Sequence, residues 1–251
     1  MRSALEERFR KHFLDTVGKI PTDEEMSSVN KITKEEYRKI YDTPDKPVAV
    51  TRASYNKVLS KIWTKVVATT ASFSEVVLLS RYVKFKPYYN ITSLASGLCV
   101  FELFLAKEFV PDGRIRCIDL SVEMNKQARA LARKLKQHNI DITTASVTKV
   151  PVSSNSQDVV LVRRSGLSND KRWINVLKES HRILKKTRTA RFVYTVAGDF
   201  NKPTKSIKED LLAAGFEFVA MRKFGIKEKA PSFMIIAKPR KQRAGMNRYE
   251  G

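Results

Sequence analysis

Gly97 and Asp119 stand 22 residues apart, and between them the chain reads as the end of a small-residue turn, a helix and a strand that finishes on the acid. Ile91 to Leu94 read as a short strand, after which Ala95, Ser96 and Gly97 are small enough for a ligand to approach the backbone. Val100, Phe101, Leu103, Phe104 and Leu105 recur at helical spacings, Pro111-Asp112-Gly113 makes a turn, and Ile115 to Ile118 resume as a strand. A carboxylate at the tip of the second strand of such a unit, about 20 residues past its glycine turn, accepts hydrogen bonds from ribose hydroxyls. The chemistry to which these residues are suited is the grip of a nucleoside.

The elements that must position them follow from periodicity. Ala128, Leu131, Ala132 and Leu135 make an apolar stripe on a basic helix that carries Arg129, Arg133, Lys134 and Lys136. Strands are predicted at Ile140 to Thr144, Val159 to Val162 and Arg191 to Thr195, with a helix from Trp173 to Leu184 and another from Lys205 to Ala214 closed by Gly215. Phe216 to Arg222 and Ser232 to Ala237 complete the series as an antiparallel pair, and the strand-helix alternation predicts an α/β sheet. Residues 1–88 read as a helical extension. Ser3 with Glu6, Thr22 with Glu25 and Thr33 with Glu36 each match a capping box, Leu5, Phe9, Phe13 and Val17 share one helix face, and Thr43 to Pro47 read as a linker. A longer helix with Tyr55, Val58, Leu59, Ile62, Trp63, Val66 and Val67 on one stripe is expected to pack on the sheet.

From Tyr89 to Lys238 the chain resembles the class I S-adenosylmethionine-dependent methyltransferases, within the type 11-like group that includes ubiquinone and menaquinone biosynthesis enzymes and several RNA methyltransferases. The family's first motif is approximately an acid, an apolar residue and Gly-x-Gly-x-Gly; here Ser93 and Leu94 precede Ala95, Gly97 and Cys99, so one of three glycines is kept. Cys117-Ile118-Asp119-Leu120-Ser121 with Met124 meets the second motif, and Thr144 to Pro151 the third, with Ser146 where an adenine-binding acid is usual. Ser156 to Val162 is similar to the family's fourth strand, and Lys185-Lys186-Thr187-Arg188 stands for its Lys-Pro-Gly-Gly turn. The resemblance implies a seven-stranded Rossmann-like sheet with helices on both faces over residues 89–238, preceded by the helical extension at 1–88 and followed by a basic tail at 239–251. It also implies S-adenosylmethionine as cofactor, bound by Ser93, Ala95, Ser96, Gly97, Asp119, Leu120, Met124, Ser146, Val147 and Arg163.

Charge points to a partner. Forty-eight Lys and Arg against 26 Asp and Glu give +22, and an excess of that size attracts polyanions through counterion release. RNA or a ribonucleoprotein is expected, with Arg163, Arg164 and the tail residues Arg240, Lys241 and Arg243 as candidate contacts. Cys99 and Cys117 lack metal-ligand or disulfide-framework spacing, and no stretch approaches the roughly 20 apolar residues of a membrane span, so a reducing, cytoplasmic setting is expected. His12, His138 and His181 are isolated and read as surface or helix residues. No catalytic residue is named, because methyl transfer from a sulfonium can be driven by holding donor and acceptor in line. Three functions remain open: a methyltransferase acting on ribosomal or transfer RNA, a methyltransferase-like RNA-binding factor with weak or no catalysis, and a small-molecule methyltransferase.

Overall fold

The computed structural model describes residues 3–18, isolated positions between 22 and 35, and residues 70–163, 166–169, 172–196, 204–224 and 232–240. Helix α1 (Ala4–Val17) begins at the predicted capping box, with Ser3 Oγ accepting from the Glu6 N–H and Glu6 from that of Ser3. Helix α2 (Thr70–Val83) leads to β1 (Asn90–Leu94), α3 (Val100–Glu108), β2 (Arg114–Asp119), α4 (Val122–Lys134) and β3 (Ile140–Thr144). Then come β4 (Val159–Arg163), a short 3-10 turn (Gly166–Asn169), α5 (Trp173–Ile183), β5 (Arg191–Val196), α6 (Thr204–Ala213), β6 (Phe216–Phe224) and β7 (Ser232–Pro239).

The seven strands form one sheet in the order β3-β2-β1-β4-β5-β7-β6, parallel through β5 and antiparallel at β7 and β6. Both faces of its centre are buried, as parallel strands between helix layers require. Successive residues alternate between two cores: Ile91, Cys117, Leu161 and Val193 meet α1, α2, α3 and α4 on one face, while Leu94, Ile118, Val160 and Tyr194 meet α5 and α6 on the other. Helix α1 is part of the first core, since Phe9 and Phe13 are fully buried there. Gly113 makes the tight turn into β2; a Cβ there would stand 2.1 Å from the Tyr89 carbonyl oxygen.

All seven predicted strands form, within a residue or two of their expected limits. No helix joins β3 to β4: residues 145–158 cross as an irregular segment. Its polar groups are held by α5 instead. The Val150 N–H donates to Glu179 at 2.6 Å, and Arg182 reaches the carbonyls of Val150 and Val152 and the Ser154 hydroxyl. Thr22 and Glu25 show the reciprocal bonds of their capping box. The Thr33–Glu36 box, the 43–47 linker and the Tyr55–Val67 helix lie outside the described residues, as does the tail beyond Arg240.

Candidate functional site

Strand order reverses between β1 and β4, and open α/β sheets bind ligands at the carboxyl ends of the strands beside such a reversal. The turn after β1 lies there. Ala95, Gly97 and Cys99 have φ of 54°, 55° and 56°, so every second residue is left-handed although only one is glycine. The left-handed conformation costs an L-residue about 1–2 kcal/mol, which the surrounding bonds must offset. The Ser96 N–H donates to the Ile118 carbonyl at 3.3 Å, that of Cys99 to the Ser96 carbonyl at 3.1 Å, and that of Gly97 to Asp119 Oδ2 at 2.9 Å.

Asp119 thus closes the turn from the tip of β2. Its other oxygen accepts the Ser121 N–H at 2.8 Å, and the residue is 7% exposed. Burial pushes its carboxyl above the ordinary aspartate value, while the N–H groups of Ser121, Gly97 and Leu120 pull in the opposite direction. Asn125 fixes the strand end by donating to the Asp119 carbonyl at 3.1 Å and to the Thr144 hydroxyl at 2.8 Å.

Beside the turn stands a buried charge network that reading the sequence missed. Arg163, at the end of β4, makes two 2.8 Å bonds to Glu75 of α2, places its third nitrogen 3.5 Å from Glu102 of α3, and lies over the Phe101 ring at 3.5 Å. Glu75 is 0% and Glu102 1% exposed. Thr195 of β5 also donates to Glu75, and Ser93 donates to Glu102 Oε1 at 2.8 Å. Glu102 Oε2 is buried and has no partner among the described residues. A lone acid inside the apolar run Val100 to Ala106 was the available signal for Glu102; nothing local marked Glu75.

The remaining predicted residues divide. Ser93, Ala95, Ser96, Gly97 and Asp119 converge on the turn; Leu120 is half-buried at its rim, and Met124 is fully buried beneath it in the core of α4. Ser146 follows β3, where its hydroxyl is engaged by the Thr148 hydroxyl at 2.9 Å and the Thr148 N–H at 3.3 Å. Val147 packs against the second core. Arg163 corrects the expectation of a phosphate contact: a guanidinium committed to two buried carboxylates is not offered to a polyanion. Arg164, Lys241 and Arg243 lie outside the described residues, and Arg240 is exposed at the end of β7. Among the histidines, His12 bonds the Val100 carbonyl at 3.0 Å, His138 is exposed and His181 packs edge-on to Phe216. Cys99 and Cys117 are free and buried. Among the described residues there is no group of three or more metal-ligating side chains, and no helix is long and apolar enough to cross a membrane.

This sheet, with its single antiparallel excursion at β7, has the fold of solved S-adenosylmethionine-dependent methyltransferases. Residues 91–187 match the family model described as a methyltransferase domain. The chain is similar to a demethylmenaquinone methyltransferase of Listeria welshimeri, 28% identical over 96 residues that span 38% of this chain and 40% of the relative. The match thus reaches about two fifths of that relative's length. Among solved structures it resembles a SAM-dependent methyltransferase from Aquifex aeolicus, with TM-score 0.55 and 17% identity over 64% of this chain and 87% of that one. It also resembles the magnesium protoporphyrin IX methyltransferase of Synechocystis with bound SAM, with TM-score 0.62 and 12% identity over 79% and 100% of the two chains. At these identities the solved structures establish the fold.

Proposed function

We propose that the chain is an S-adenosylmethionine-dependent methyltransferase that acts on RNA. The observation that carries the cofactor reading is the turn after β1, which holds three left-handed residues and anchors Gly97 to Asp119 although two glycines are replaced. The residues fit the group. S-Adenosylmethionine carries an ammonium, and Glu102 Oε2 is a buried acceptor without a partner among the described residues. It carries ribose hydroxyls, and a carboxylate such as Asp119 offers about four acceptor sites, of which the N–H groups of Gly97, Ser121 and Leu120 use three. Ser93 cannot supply a charge, but it orients the Glu102 carboxylate. When bound, the cofactor would supply a methyl group on an electron-poor sulfur. The chain's part is to hold that donor and the acceptor in line.

The RNA reading rests on the +22 charge. A small-molecule acceptor is the second reading, favoured by the demethylmenaquinone methyltransferase among the relatives. Calorimetric titration with S-adenosylhomocysteine is the first test. Asp119→Ala and Glu102→Gln should each weaken binding by roughly 1.5–3 kcal/mol, the worth of a hydrogen bond to a charged group. A wild-type protein that binds no cofactor at millimolar concentration would sink the enzyme and leave an RNA-binding factor. Transfer of a labelled methyl group to total RNA, against transfer to a quinol acceptor, then decides between the two substrates.

A further inference from the structure

Among the described residues no helix covers the sheet between β3 and β4, and a cleft of about 460 Å³ opens there. It wraps the edge strand β3: Arg116 of β2 and Asp141 of β3 line one side, Arg129 and Arg133 of α4 the other, with Pro151 and Val152 of the irregular crossover closing an end. These arginines do not belong to the turn after β1. Arg114 makes a bidentate pair with Asp141, so the one acid of the cleft is already neutralised. Arg116 stands 4.0 Å from the same carboxylate, Arg129 donates to the Ile142 carbonyl at 2.9 Å, and Arg133 is exposed. Guanidinia keep their charge at any physiological pH and present forked donors that match phosphate oxygens.

From this convergence we infer that the β3-edge cleft docks the phosphodiester backbone of the RNA. The inference rests on the RNA reading proposed above and gives it a place. A concave, arginine-lined edge suits a strand of phosphates. A membrane surface would instead call for a broad basic face with apolar side chains beside it, whereas the exposed large apolar residues of the described chain are single and scattered. The site also accounts for the irregular crossover: a helix over β2 and β3 would fill the flank that Arg116 opens onto, and α5 holds the crossover clear through Glu179 and Arg182.

Binding of a fluorescein-labelled single-stranded RNA to the full chain, followed by anisotropy from 50 to 200 mM salt, tests it. The double variant Arg129→Gln/Arg133→Gln should lose about tenfold in affinity and lower the log–log salt slope by about 1.4, two phosphate contacts at about 0.7 each. Arg116→Gln, altered on the strand rather than the helix, should weaken binding in the same direction. The control Lys205→Gln/Lys223→Gln removes the same charge from exposed positions on α6 and β6, at the opposite end of the sheet, and should change affinity less than twofold. Equal losses in control and cleft variants would overturn the inference and make the attraction a property of net charge, with the RNA reading intact. Failure of the wild-type protein to bind RNA at 50 mM salt would remove the RNA reading and the docking site together, while titration with S-adenosylhomocysteine would still report on the enzyme.

Discussion

Ala95 holds a left-handed backbone without being glycine, and its neighbours show why it can. The N–H of Ser96 is tied to β2 and that of Gly97 to Asp119, so the chain is fixed on the C-terminal side of the strained residue. Ala95→Gly relieves about 1–2 kcal/mol of strain and costs about 0.5–1 kcal/mol in chain entropy, so stability should rise by up to about 1.5 kcal/mol. A urea midpoint that moves upward with an unchanged slope is the expected result; a loss of more than about 1 kcal/mol would mean that the methyl packs against something the strain does not outweigh. Cys99 has the same φ, but its thiol is buried and lies 3.6 Å from the Ser96 hydroxyl, so Cys99→Gly gives up packing as well as strain and should come out near neutral. Glycine was replaced where the backbone could carry the cost, and the path of the turn was kept.

At the scale of elements, α5 does the work of the absent crossover helix. Glu179 takes the Val150 N–H, and Arg182, bonded to Glu179, takes two carbonyls of the same segment. The Arg182 guanidinium, helped by the Val150 N–H, holds the Glu179 carboxyl below its ordinary value of 4.5 against the opposing effect of burial. In the unfolded chain Glu179 therefore takes up its proton at higher pH than in the folded protein. The stability it contributes is complete above pH 4.5 and is lost as pH falls through the lower folded value. Glu179→Gln should cost roughly 1 kcal/mol at neutral pH, since Arg182 is partly solvated, and the gap between variant and wild type should close in acid. Melting curves from neutral pH down to pH 3 check this, and a gap that widens in acid would reverse the assignment.

For the molecule as a whole, the amino-terminal helix is part of the sheet domain's core. Phe9 meets Phe101 edge-on at 5.3 Å and Phe104 at 4.9 Å, and both partners sit on α3 directly behind the turn that carries Gly97. Phe9→Ala should cost about 3–5 kcal/mol, as for other fully buried aromatic residues, and should shift a single cooperative melting transition. A loss under about 1 kcal/mol would show that α1 docks without supporting α3. Since α3 also supplies Glu102, weakening this packing is expected to reduce cofactor affinity at temperatures well below the melting point.

Local pattern determined the strands, five of the helices, the turn after β1 and the place of Asp119, because period-2 and period-3.6 burial and a glycine-bearing turn are written in contiguous residues. It could not reveal Glu75 beside Arg163, since that pair joins residues 88 positions apart through the docking of α2, or Glu102 Oε2, buried without a partner among the described residues while Oε1 accepts from Ser93. It named no helix between Thr144 and Val159, and the structure has none there. Val150 and Val152 supply enough apolar surface to cap the second core, and α5 satisfies the crossover's polar groups, so no helix is needed there. The sequence by itself settled the seven strands and five of the six described helices; the helix at Thr70–Val83, which charges pair and how the β3 edge is lined were decided by contacts distant in the chain, and those follow from packing rather than from period.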